Sequence, residues 1–310
     1  MKRFLALAIL FVAELASAQG YIRTQVPGKQ ICIYWDRREY TYQLDAAGYS
    51  RDSTGRMPEA VDAAFRSWQT LSDWCSGFQF KKGARITNPV IGYKQGEDNT
   101  NVITFRELSC DAAVPTDDAC RNNRTCANKY RCWDHGDITI ALTTATFNTT
   151  SGIILDADIE FNAAAQSDGQ YFSFTTVAAP PCSADNISQS CVAQDVQNTL
   201  THEIGHVIGL DHVPISGATM EPSAPSGETR KRIIDSGTGA GLCDIYPRAQ
   251  PSSPTCDLEA TLRKSIQATS KGSALFSSTG CTVAPGAASL SGLIILFGMW
   301  LGLSGRRQKG

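Results

Sequence analysis

Apolar positions recur along this chain at two spacings, and each spacing predicts a set of elements. In residues 58–71, Val61, Ala64, Phe65, Trp68 and Leu71 fall on one helical stripe, opened by Pro58, which suits a first turn. Residues 195–208 and 234–246 also read as helices, separated by a loop rich in Gly, Ser and Pro. Residues 30–35 form a short apolar run suited to a strand, and Tyr40-Thr41-Tyr42 extends it or begins another. Residues 89–93 and 102–105 are β-rich strand candidates. Residues 137–147 and 153–161 read as two strands joined by the turn-forming Asn148-Thr149-Thr150-Ser151-Gly152.

The two ends follow other rules. Lys2 and Arg3, an apolar run over 4–13 and the small residues Ala16-Ser17-Ala18 have the layout of a cleavable export signal, over residues 1–18. Residues 251–254 begin a linker, 257–268 read as a short amphipathic helix, and 270–280 are a Ser/Gly-rich spacer. Residues 284–303 are nearly all apolar or small, close to the length that spans a bilayer, and Arg306, Arg307 and Lys309 follow. The expected organisation is one domain over 19–248, a linker and spacer over 249–280, and a membrane-associated tail over 281–310.

Composition narrows the class. An apolar content of 42% with 19% charged residues describes a chain with a real core. The net charge of -2 offers no basic field for nucleic acid, and a monomer is expected. Eleven cysteines are many for a reducing compartment and agree with export. Ten of them can pair, in a connectivity that spacing leaves open. Residues 108–136 hold four among polar residues and read as a disulfide-stapled loop, and Cys182 and Cys191 bracket another. Cys281 stands apart in the tail.

The chemistry concentrates in His202-Glu203-Ile204-Gly205-His206-Val207-Ile208-Gly209-Leu210-Asp211-His212, which fits H-E-x-x-H-x-x-G-x-x-H. His202 and His206 lie one helical turn apart, so both imidazoles can face one cation. Glu203 is rotated about 100° from that face, beside the metal rather than on it. Gly209 permits a helix exit at positive φ, which returns the chain to deliver His212 as third ligand. Three neutral nitrogens on Zn²⁺ leave a fourth position for water, as catalytic zinc requires. Three of the four histidines fall in this window, and a chance match to its five positions arises in fewer than about one window in a million.

The motif resembles that of the metzincin metallopeptidases, and Met220 in Gly217-Ala218-Thr219-Met220-Glu221-Pro222 resembles their methionine turn beneath the metal. Within them the chain looks most like the matrixins over residues 22–248, through Gly136-Asp137-Ile138-Thr139-Ile140 and Asp156-Ala157-Asp158-Ile159-Glu160-Phe161-Asn162. That resemblance implies an α+β fold: a twisted, mostly parallel sheet backed by helices, with an antiparallel edge strand within 141–147 that pairs with extended protein or peptide substrates. It also implies zinc-dependent endopeptidase activity with Glu203 as general base. Val213 departs from the serine usual after the third histidine. Pro222 stands where other metzincin branches carry a tyrosine ligand. With only His135 left over, neither a multi-histidine second zinc site nor a long propeptide with a cysteine switch is expected. Asp156, Asp158 and Glu160 can supply hard oxygens to Ca²⁺, or form a solvated strand face. Gly280-Cys281 before the apolar run and paired arginines is similar to myxobacterial sorting tails, in which the cysteine marks processing and anchoring; a plain membrane anchor is the other reading. Both place the protein outside a bacterial cell or on its surface. A metal-bound binding module without turnover, or a zinc hydrolase of non-peptide bonds, remains open at the level of sequence.

Overall fold

Residues 20–256, apart from 124, 167 and 168, and the backbone of 281–282 are described by a computed structural model of the chain. In chain order its elements are β1 (Ile22–Arg23), β2 (Glu39–Leu44), α1 (Met57–Cys75), β3 (Gln79–Lys82), β4 (Asn101–Arg106) and β5 (Leu108–Ser109). The short helices α2 (Cys110–Ala113), α3 (Cys120–Asn123) and α4 (Cys126–Tyr130) follow, then β6 (Cys132–Trp133), β7 (Thr139–Phe147) and β8 (Ile154–Asn162). The remainder are β9 (Phe174–Thr175), β10 (Gln194–Asp195), α5 (Val196–Val207), β11 (Leu210–Asp211), a 3₁₀ turn (Arg230–Arg232), α6 (Ser236–Ile245) and β12 (Cys281–Thr282).

Five strands form a mixed sheet in the order β7-β8-β4-β2-β3. Four of them run parallel, and β7 pairs antiparallel with β8, Thr143 opposite Ile159. On the far edge of β7 the backbone of β12 adds two residues, also antiparallel, with Cys281 opposite Ala141. The α1 stripe and the buried face of α5 pack together on one side of this sheet. Phe65 and Trp68 of α1 and Leu200, Ile204 and Val207 of α5 meet Ile103, Phe105, Ile159 and Phe161 of the strands. Burying each large apolar side chain is worth about 1.5–3 kcal/mol. The Trp68 indole N–H donates to Thr201 O at 2.9 Å, so α1 fixes α5 with a polar contact as well.

The helices and the β7–β8 hairpin fall where periodicity places them, and Tyr40-Thr41-Tyr42 lies inside β2. Two strand expectations fail. Residues 30–35 make only isolated bridges, Cys32 with Gln25, Ile31 with Thr255 and Tyr34 with Ile153. Residues 89–93 form no ladder because side chains take their backbone groups. The Asn128 amide bonds both N–H and C=O of Ile91, and Asp158 accepts from Gly92 N–H at 2.6 Å. The 108–136 segment is more than a stapled loop: Cys110, Val114, Cys120, Cys126 and Cys132 form a small core of their own.

All ten cysteines expected to pair do so: Cys32–Cys256, Cys75–Cys243, Cys110–Cys132, Cys120–Cys126 and Cys182–Cys191. The signal segment 1–18, the helix at 257–268, the spacer and the apolar run 284–303 lie outside the described residues. No helix among the described residues is long and apolar enough to cross a membrane.

Candidate metal centre

Asp195 starts α5 as its N-cap, accepting from Asn198 N–H at 2.7 Å, and Arg232 Nε holds the same carboxylate at 2.8 Å. At the other end, Trp35 Nε1 donates to Val207 O and Tyr246 OH to Ile208 O, which satisfies carbonyls the helix leaves free. Gly209 then turns the chain at φ 93°, and a Cβ there would sit 2.6 Å from Ile33 O. Only glycine allows both the angle and the approach. The chain returns as β11, paired with β1, and brings His212 back over α5.

The three histidines converge as their spacing requires. Their Nε2 atoms lie 3.1 Å (His202 to His212), 3.2 Å (His206 to His202) and 3.1 Å (His206 to His212) apart. Among the described residues they are the one cluster of three or more His, Cys, Asp or Glu ligand atoms close enough to share an ion. Backbone carbonyls meet two of the other ring nitrogens, Thr219 O with His202 Nδ1 at 2.7 Å and Leu210 O with His206 Nδ1 at 2.9 Å. A carbonyl needs a donor, so those Nδ1 atoms carry the proton and the Nε2 atoms present bare lone pairs to one another. Burial, followed by the nearby Lys231 charge, holds the His202 pKa well below its ordinary value, so a charged His202 does not relieve the repulsion. A cation does. Tetrahedral zinc at about 2.0–2.1 Å places its nitrogens about 3.3 Å apart, and this triad fits.

Glu203 is fully buried beside the triad. Its Oε2 accepts from Thr143 Oγ1 at 2.7 Å, while Oε1 is buried with no partner among the described residues. Burial raises the carboxyl pKa, against the opposing pull of His206 and of the Thr143 hydrogen bond. Met220 lies beneath α5: a Cβ on Gly205 would come within 2.2 Å of its sulfur, so that glycine admits the methionine. Val213 N–H donates to Met220 O at 3.0 Å, tying the turn to the residue after His212.

Three further residues complete the site without any signal in the sequence. Thr143 is one of several threonines in β7. Lys231 is buried and its Nζ donates to Glu221 O at 2.9 Å and Ser223 O at 2.5 Å, while its N–H bonds Asn198 of α5. Asp235 caps α6 and also accepts from Thr219 N–H at 2.7 Å, fixing the residue whose carbonyl orients His202.

Asp156, Asp158 and Glu160 share the opposite face of β8, and they are buried there rather than solvated, at 2%, 0% and 3% exposure. Arg106 Nε donates to Glu160 Oε1 at 2.5 Å, and His135 lies 3.7 Å from Oε2. Asp158 accepts from Gly92 and Val102 N–H. Burial, then the charge of Asp156, pushes the Asp158 carboxyl up to about 8. A three-carboxylate calcium site fits this set poorly, since Glu160 already neutralises Arg106. Cys281 enters the description only through the backbone of β12.

The family model described as Matrixin, a peptidase family, matches residues 34–246. No curated protein matches the chain.

Proposed function

The chain belongs to the matrixin family of zinc-dependent endopeptidases, and on that premise we propose that it hydrolyses internal peptide bonds of protein substrates outside the cell. In this reading His202, His206 and His212 hold the zinc, Glu203 is the general base, and Met220 supports the metal-binding turn. The observation that carries it is the convergence of three buried imidazole Nε2 atoms beside a buried carboxylate whose Oε1 has no partner among the described residues.

Zinc held there supplies Lewis acidity to the hydrolytic water and to the scissile carbonyl. Glu203 Oε1 takes the proton of that water, while the Thr143 hydroxyl holds Oε2 in place. Burial makes the protonated carboxyl affordable, so Glu203 keeps the proton until it returns it to the departing amine. The outer edge of β7 passes this carboxylate, and beyond the two residues of β12 no strand among the described residues pairs with it; an extended substrate would add to that edge antiparallel, as β12 does. Five disulfides support an oxidising destination, and the sorting-tail or anchor reading of 281–310 supports retention at a cell surface.

A binding module gains nothing from a buried carboxylate with a free oxygen, which favours turnover over the non-catalytic alternative. The test is chelator-sensitive cleavage of casein or gelatin, with Glu203→Ala alongside and zinc quantified in both. Loss of cleavage at equal zinc content supports the peptidase and its base. Full cleavage by the variant would remove Glu203 from the mechanism, and zinc-loaded parent protein inert on every protein substrate would favour a binding module or a different hydrolase.

A further inference from the structure

The Thr143 hydroxyl of β7 donates to Glu203 Oε2 at 2.7 Å and lies 3.1 Å from Glu203 O, so this strand marks where the base stands along the sheet edge. An edge strand presents a row of backbone N–H and C=O groups to any extended chain that reaches it. Here the chain supplies such a segment itself. β12 runs antiparallel to β7, Cys281 opposite Ala141 and Thr282 opposite Thr139, with the register slipping between them. Ala141 precedes Thr143 by two residues, about 7 Å along the strand. Backbone groups two residues apart point to the same edge, so β12 meets β7 in the phase of a chain passing Thr143. Direction matters too. A chain antiparallel to β7 runs from its Phe147 end toward its Thr139 end, so residues that follow a bond cut beside Thr143 fall opposite 139–141. β12 stands on those positions.

We propose that β12 competes with substrate for the β7 edge: the chain's own Cys281–Thr282 segment docks in cis where the residues after the scissile bond must bind, and keeps the peptidase partly latent. What is blocked rests on the peptidase reading; what blocks it rests on the β12–β7 pairing alone. The contact is a backbone ladder, which imitates an extended substrate without needing matched side chains. It is also intramolecular. Cys256 is fixed to Cys32 by a disulfide and lies 25 residues before Cys281, so the segment meets the edge at the high effective concentration of a tethered ligand, on the order of millimolar. Against this, two paired residues make a weak ladder, because each backbone hydrogen bond replaces one to water. The balance is an edge that is often occupied and that a substrate with a longer ladder displaces. Such competition raises KM and leaves kcat unchanged, since a bound substrate has already expelled β12 and meets the same Glu203 and histidines.

The experiment compares two double variants of the full chain. Cys281→Pro with Thr282→Pro removes both N–H donors of β12, and Cys281→Ser with Thr282→Ser keeps them. Amide hydrogen exchange over 139–143 is read by mass spectrometry in chains that also carry Glu203→Ala, which prevents self-digestion. Exchange should be several-fold faster in the proline pair than in the serine pair. In chains that retain Glu203, KM for an internally quenched peptide should fall several-fold in the proline pair, with kcat and the serine pair at parental values. Equal exchange in the two pairs would overturn the proposal, and so would faster exchange with KM unmoved. Protection lost on dilution would overturn it as well, by assigning the strand to a second copy of the chain. An exchange difference in chains that cut no peptide would support the docking and sink the peptidase reading, so the two failures are told apart.

Discussion

Two buried glutamates on opposite sides of the sheet show how this fold separates structure from chemistry. Glu160, under the outer face of β8, is 3% exposed; Glu203, on α5, is fully buried. Desolvation pushes both carboxyls up. At Glu160 the neighbouring His135 and the Arg106 charge outweigh it and hold the pKa below its ordinary value. At Glu203 burial wins and the pKa is raised. Glu160 is a fixed anion that neutralises a buried arginine. Glu203 has one oxygen anchored by Thr143 and one without a partner among the described residues, the arrangement a proton carrier needs. Burial alone therefore says little about the role of a carboxylate; the partners of its second oxygen decide.

That contrast can be broken most severely at Glu203. Glu203→Gln preserves shape, and turnover is expected to fall by roughly 10²–10⁴-fold with zinc content and melting temperature maintained. Glu160→Ala should do the reverse. It leaves Arg106 charged and unpaired in a buried site, at a cost of about 3–5 kcal/mol in denaturant unfolding, while turnover per folded molecule stays near the parental value. A Glu160 variant that kept its stability and lost its turnover would dissolve the distinction. Thr143→Val gives Glu203 a second open oxygen. A loss of about 1–2 kcal/mol of orientation, roughly tenfold in kcat, is expected. The hydroxyl donates to the charged carboxylate, so its removal should also move the acidic limb of the pH–rate profile to higher pH; an unshifted limb would deny Thr143 that role.

The smallest effect belongs to the pair beside Glu160. The folded Asp158 carboxyl titrates at about 8, above its ordinary value, because of burial and then Asp156. A raised carboxyl favours the fold while protonated. Its contribution is complete below the unfolded pKa and is lost as pH rises through about 8. In chelator, the melting temperature of the parent should fall between pH 5 and 9 by more than that of Asp158→Asn. Parallel slopes would mean that the pair does not titrate in this window.

Much of the site was legible in the residues because its determinants are local. His202, Glu203 and His206 are set by the pitch of one helix, and Gly209 and His212 by the turn that ends it. The α1 stripe and the β7–β8 hairpin were legible for the same reason. The sequence could not show that residues 89–93 surrender their backbone bonds to Asn128 and Asp158, since a strand-like composition is silent about which partner arrives. Nor could it distinguish a solvated face from a buried one at Asp156, Asp158 and Glu160, because alternation marks two faces and not what covers them.

By itself, then, the sequence determined the spacing of the three histidines, the position of the proposed base and the helix that carries them, all through contacts within a few residues. Only the tertiary structure decided the cysteine partners, up to 224 residues apart, and the Thr143 hydroxyl that reaches Glu203 across a separation of 60. It also decided the Lys231 and Asp235 bonds behind the histidine turn. Those contacts depend on how the sheet, α1 and α5 pack, and no periodicity in the chain encodes a distance between residues that meet only after that packing is complete.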